Sequence, residues 1–390
     1  MDRQPPAPLF TVLCVTFLGS VGSGTFWAGL FFVTASRYGF TAFANLILAA
    51  VMGAVYALCA RLVGRLTHGR APRRLLSATL AIWTGASALP LLAPGSVAAL
   101  WTAALAGSAA AAAAFPVVES YLTAGRHGAE MRSAIGKFNL TWTPATAVPL
   151  LVLPLLARAS PPGSFALSAA ATALAWLAAQ ALPPHPAPHE PEAARAAVGP
   201  EYPALLQAAS WLLPFSYVVS ATLAPVLPQR LAAVGVGEAK SLLAASWMAM
   251  RFVVLLVMWR SNFWHGRWGT LAAASGALGG GLALVLLAHS APALIAGLLV
   301  YGAGMGLTYY ASLYYAMTIG RGAVDAGGNF EALIGVGYFL GPFLGIAGQL
   351  AAGPARGSAA TVGLTWILAV AVARGAVRPY LRARKARQRR

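Results

Sequence analysis

Polar residues are sparse along this chain and gather in clusters, with long apolar stretches between them. Twelve such runs fall at about 9–33, 41–63, 75–93, 97–118, 134–157, 165–182, 204–226, 241–259, 270–288, 293–317, 330–352 and 358–377. Each is long enough to cross the hydrocarbon of a bilayer as a helix, which needs about 20 residues. Helix is the form such runs take in lipid, because an unpartnered backbone amide costs several kcal/mol there. The abundant alanine, the 41 glycines and the prolines inside the runs suit helices packed closely in a membrane. One break differs from the rest: residues 183–203 read PPHPAPHEPEAARAAVGPEYP, too polar and proline-rich to span. It divides the runs six and six. The pattern predicts an all-α polytopic membrane protein of twelve transmembrane helices in two six-helix bundles. The bundles occupy 1–182 and 204–377, joined by a cytoplasmic linker at 183–203 and followed by a basic tail at 378–390.

Composition narrows the class. Of 390 residues, 59% are hydrophobic and only 9% charged, against about 25% charged in a soluble domain. Disorder is excluded by the same hydrophobicity. The net charge of +18 sits between the runs and in the tail, so no soluble basic surface exists for nucleic acid. With the amino terminus placed in the cytoplasm, 21 of the 27 basic residues fall on the cytoplasmic side. Five (Arg37, Arg158, Arg230, Lys240 and Arg356) fall outside, and Arg251 lies within a run. Cytoplasmic loops are enriched in Lys and Arg, so both termini are expected inside. The Ala- and Arg-rich composition points to a GC-rich bacterial source and hence to the inner membrane. The first run lacks a small-residue cleavage site and reads as a span, not as a removable leader. Cys14 and Cys59 lie inside runs, as packing residues rather than disulfide or metal ligands.

The two halves resemble each other. His68-Gly69-Arg70 follows the second run and His265-Gly266-Arg267 follows the eighth; Gly136-Lys137-Phe138-Asn139 opens the fifth and Gly328-Asn329-Phe330-Glu331 the eleventh. Two matches at topologically equivalent places indicate duplication, and repeats of this kind are typical of secondary transporters.

On these features the chain resembles the major facilitator superfamily over essentially its whole length. The loop after the second run, GRLTHGRAPRR at 64–74, is similar to that family's Gly-x-Leu-x-Asp-Arg-x-Gly-Arg-Arg pattern. Gly64, Leu66, Arg73 and Arg74 match, whereas His68 occupies the acidic position, Gly69 the following Arg and Ala71 the second Gly. The family's Gly-x-x-x-Gly-Pro-x-x-Gly antiporter pattern is missing from the fifth run, and a version stands in the eleventh as Gly337, Gly341, Pro342 and Gly345. There the glycines are expected to let helices approach and the proline to bend one. The resemblance implies alternating access by two rocking bundles. It also implies acids that pair with the basic loops as conformational latches: Glu119 and Glu331 with Arg70, Arg73 and Arg74, and His68, His265 and Arg267 in the same loops.

Arg251 is the sharpest chemical signal, an arginine in the middle of the eighth run. That placement costs a few kcal/mol unless the side chain faces a cavity or a partner, and the chemistry it offers is capture of an anionic or amphipathic solute. Around it we expect a cavity wall of Tyr217, Trp247, Tyr310 and Tyr314, with Asn45, Trp142 and Gln349 as further candidates. Tyrosine and tryptophan give such a wall an apolar body with a hydrogen-bonding tip. Gly19, Ser20, Gly22, Ser23, Gly24 and Thr25 form a small, polar stripe in the first run, suited to close packing and to lining a pore. No phosphate-binding loop and no metal-ligand motif occurs in the sequence, so neither an ATPase nor an embedded enzyme is expected, and no cofactor. The expected function is secondary active transport of a small organic solute by a monomer in lipid, with protons as the candidate coupling ion. The alternatives are a non-transporting sensor or scaffold of the same fold, and a lipid flippase.

Overall fold

A computed structural model of the chain describes residues 5–67, 71–159, 163–187, 201–237, 239–320 and 324–388. They form helices joined by short turns. In chain order these are α1 (Leu9–Arg37), α2 (Ala42–Thr67), α3 (Pro72–Leu92), α4 (Val97–Thr123), α5 (Gly128–Ala159) and α6 (Gly163–Ala179). After the linker come α7 (Tyr202–Leu223), α8 (Lys240–Arg260), α9 (Trp268–Leu287), α10 (Ala291–Gly320), α11 (Gly327–Gly353) and α12 (Arg356–Leu381). Eleven are long and apolar enough to cross a membrane, and α6 is a shorter apolar helix of 17 residues. Large apolar side chains face outward along them; Leu92 is 81% exposed and Ile367 70%. That surface would be untenable in water and is what lipid solvates.

Local chemistry sets the breaks. Ser96 accepts a hydrogen bond from the Ala99 amide and so starts α4, which makes the short gap before it a true turn. Gly353, at φ 68°, separates α11 from α12. A short helix, Leu227–Ala233, lies between α7 and α8. In α1 the residues Thr25–Gly29 form a wider, π-helical turn.

The helices before the linker meet those after it along two seams. In one, α2 lies against α11 so closely that a methyl group on Gly53 would enter the backbone of Tyr338, and one on Gly335 the backbone of Ala57. In the other, α5 lies against α8, and Gly136 sits beneath the Trp259 indole with no room for a side chain. The glycines of the eleventh run do what was expected of them structurally. Gly337 and Gly341 abut α7, and the Thr222 hydroxyl donates to the Gly341 carbonyl at 2.7 Å.

Candidate functional site: a central aromatic cavity

Between the two seams the helices stand apart and leave a cavity that, together with the open space at its mouth, spans about 1030 Å³ not filled by atoms. Helical periodicity explains who lines it. Ser20, Gly24 and Trp27 of α1 recur at helical spacing, as do Phe138, Trp142, Thr146 and Leu150 of α5, Tyr301, Met305 and Tyr309 of α10, and Glu331, Ile334 and Tyr338 of α11. The π-helical turn carries Trp27 and Ala28 to the cavity face, a setting in which such turns are frequent. Prolines 144, 149 and 154 interrupt α5 along its cavity-lining stretch.

Arg251 enters from α8 and is 3% exposed. Its guanidinium carbon lies 4.3 Å from the Trp142 ring centre and 4.8 Å from that of Tyr309, two rings themselves 5.0 Å apart. The aromatic faces hold the cation by their quadrupoles. Hydrogen bonding to it is sparse: Nη2 donates to the Tyr217 hydroxyl at 3.5 Å, and Nε has no partner among the described residues. No carboxylate of the described residues ion-pairs with it.

The second charged group of the cavity is Glu331, 4% exposed. Its Oε2 accepts a hydrogen bond from the Tyr56 hydroxyl at 2.5 Å. Aromatic rings bridge the space between the two poles: Tyr56 meets Tyr338 edge-on at 5.5 Å, Tyr338 meets Tyr217 at 5.0 Å, and Trp27 stacks on Tyr338 at 3.9 Å.

Trp142, Tyr217, Trp247 and Arg251 therefore come together as the sequence led us to expect. Four candidates do not. Tyr310 and Tyr314 line a smaller hollow with Arg132, Trp264 and His265; neighbouring residues of a helix point about 100° apart, so with Tyr309 facing the cavity Tyr310 must face elsewhere. Asn45 is buried away from the cavity lining. Its Oδ1 accepts from Thr34 at 2.7 Å, and its Nδ2 donates to the carbonyls of Phe31 and Pro225 at 3.3 and 3.4 Å. Gln349 lies beside Gly357 at the turn into α12. Trp27, Tyr56, Tyr301, Tyr309 and Tyr338 complete the lining instead.

The expected loop partners are also redistributed. Glu331 faces the cavity rather than the basic loops. Glu119 is 1% exposed with neither oxygen partnered among the described residues, next to Gly327 of α11. Arg73 donates to the carbonyls of Leu182 at 2.9 Å and Gln180 at 3.4 Å; Arg74 and Arg267 are exposed. His68 and Arg70 lie outside the described residues. His265 sits against Trp264 and Tyr314 and 3.4 Å from the Tyr202 hydroxyl. Burial, with the charge of Arg132 nearby, pushes its imidazole down to about 4.

Hydrogen bonds cross the seams at the end of the molecule that carries these basic loops. Arg61 of α2 donates to Asn329 of α11 at 2.6 Å, and Arg132 of α5 donates to Asn262 beyond α8 at 3.0 Å. Toward the opposite end Phe32 lines both the central cavity and a second, larger one that includes Arg37, Leu153 and Lys240.

The architecture is a fold shared with solved transporters. The human organic anion transporter MFSD10 (TETRAN) is similar over 95% of this chain and 100% of its own, with a TM-score of 0.65 and 15% identity. The nucleoside transporter NupG is similar over 94% of this chain and 98% of its own, with a TM-score of 0.63 and 14% identity; a mutant of it gives a TM-score of 0.66. No known protein-family model matches the sequence. No curated protein matches it either.

Proposed function

We propose that this chain is a secondary active transporter that carries a small organic solute through the central cavity by alternating access. The single observation behind this is a polar-tipped aromatic cavity between the two seams, which are joined by hydrogen bonds at one end and adjoined by a larger hollow toward the other. In this reading the helices before and after the linker act as two six-helix bundles that rock about the site, as in transporters built from repeats. The hydrogen-bonded end, which bears most of the basic loops, is cytoplasmic by the enrichment of Lys and Arg there, and both termini lie on that side. The structure then corresponds to a state closed toward the cytoplasm. Arg251 favours a solute that is anionic or amphipathic, a class that overlaps the organic anions carried by one structural neighbour. Glu331, in the cavity, and Glu119, at the hydrogen-bonded end, are the carboxyls through which a proton gradient would act.

Cross-linking tests the reading. In a background carrying Cys14→Ser and Cys59→Ser, Arg132→Cys and Asn262→Cys are introduced together and the protein is placed in proteoliposomes. Bridging the pair should stop flux of any transported solute, and reduction should restore it. Flux that continues through the bridged protein would rule out alternating access at this seam.

A further inference from the structure

The less satisfied of the two charged groups facing the central cavity is the guanidinium of Arg251, and its geometry specifies what would satisfy it. The inference rests on the cavity being the solute site, and it names the solute. Trp142 and Tyr309, their ring centres 5.0 Å apart, pack together on one side of the guanidinium; at its edge the buried Nε lacks a partner among the described residues and Nη2 makes one long bond. A guanidinium edge is a planar fork of parallel N–H donors, matched by a planar acceptor with two oxygens. A carboxylate has that shape. A dianionic phosphate would call for more positive charge, and Arg251 is the one cation among the described residues lining this cavity.

The wall selects the rest of the ligand. Eleven of the 27 lining residues are aromatic, and the stacked pair Trp27 and Tyr338 presents a broad ring surface. Planar rings meet such walls in offset or edge-to-face contacts that saturated rings cannot make. Tyr56 donates to one oxygen of the Glu331 carboxyl, which leaves the rest of its acceptor capacity in place. A zwitterion that sets its ammonium group against Glu331 is therefore the competing ligand.

We propose that the central cavity binds aromatic monocarboxylates, the carboxylate on the free edge of Arg251 and the ring against the aromatic wall, with Trp142 and Tyr309 as positioning residues for the guanidinium.

The test uses the full chain purified in detergent, with binding read by calorimetry and thermal stability, and four probes: benzoate, benzamide, cyclohexanecarboxylate and phenylalanine. Benzoate should bind in preference to benzamide by about tenfold or more, the scale of one charge-assisted bidentate contact, and in preference to cyclohexanecarboxylate by several-fold. Arg251→Gln should erase the preference for benzoate over benzamide while leaving the melting temperature of the unliganded protein unchanged. Arg251→Lys should keep part of it, because the ammonium supplies charge without the fork. Trp142→Leu should weaken benzoate yet leave it preferred over benzamide.

Equal binding of benzoate and benzamide by the unsubstituted protein overturns the proposal, and so does cyclohexanecarboxylate binding as tightly as benzoate. Phenylalanine binding more tightly than benzoate, with that advantage lost in Glu331→Gln, would make the ligand a zwitterion instead. Should Arg251→Gln not fold, the probe series on the unsubstituted chain and on Arg251→Lys decides alone. The two readings fail separately. Benzoate bound as expected but never accumulated in proteoliposomes would end the transport reading and keep the site; another solute carried without competition from benzoate would end the site assignment and keep transport.

Discussion

The two ends of the seam between the earlier and later helices share close glycine contacts and differ in their polar bonds. At the basic end, contact is made by absence of side chain: Gly136 under Trp259, Gly328 against Val63, Gly335 against Ala57. Two hydrogen bonds at its rim, Arg61 to Asn329 and Arg132 to Asn262, join exposed residues. At the opposite end Gly345 of α11 likewise abuts Leu46 of α2, and the polar contact is a long, buried bond from Asn45 to the Pro225 carbonyl, next to a large hollow. Close backbone approach gives many weak van der Waals contacts that vanish together when helices separate. Exposed hydrogen bonds contribute little by themselves. The comparison teaches that shape holds the helices together at both ends, with the exposed polar bonds of the basic end setting register there.

The strongest way to break that comparison is to give the basic end a side chain it cannot hold. Gly136→Leu should drive α5 from α8, seen as a lengthened distance between spin labels on the two helices, and should reduce transport to background. Unchanged distances would show that the indole simply swings aside. Next in size is Tyr56→Phe, which leaves the Glu331 carboxyl unpartnered inside the cavity. An orphaned buried acceptor costs about 1–3 kcal/mol, so the melting temperature should fall, with Glu331→Gln in the same background recovering part of the loss. Asn262→Ala removes an exposed bond and should cost under about 1 kcal/mol; a loss as large as that of Gly136→Leu would reverse the assignment of roles.

The smallest effect is one of pH. His265 is held at about 4 in the fold, below its ordinary 6.5, so the folded protein binds fewer protons there than the unfolded chain. Its contribution is complete above pH 6.5 and is lost as pH falls from 6.5 toward 4. Melting temperatures across that window should decline more steeply for the native protein than for His265→Gln. Parallel curves would mean that the ring is not desolvated by its aromatic neighbours.

Most of the fold was legible in the sequence because lipid leaves a chain few options. The runs at 75–93 and 270–288, for example, reappear as Pro72–Leu92 and Trp268–Leu287. Arg251 was legible for a related reason: a lone charge in an apolar run must face something other than lipid. Glu331 was misplaced because its run was counted from Phe330, where apolar residues begin. The helix starts earlier, with Gly327 and Gly328 already packed against α4 and α2, which carries Glu331 inward to the cavity. The pairing of Tyr309 with Trp142, rather than of Tyr310, depends on the rotational setting of α10, which an all-round apolar sequence leaves open. Trp27 and Tyr338 gave a fainter clue, since each lies within a glycine-rich stretch where helices come close.

The wide turn at Thr25–Gly29 amounts to one residue inserted into an otherwise regular helix. An insertion shifts the helical phase by about 100° between the segments on its two sides. α1 uses that offset to serve two masters: Ser20, Ser23 and Gly24 face the cavity before it, and Thr34 beyond it reaches Asn45 at the far end. Removing Ala28 would leave length and hydropathy almost untouched and yet force the helix to satisfy only one of them. A single codon thus sets whether the cavity face and the contact between Thr34 and Asn45 are read in the same frame.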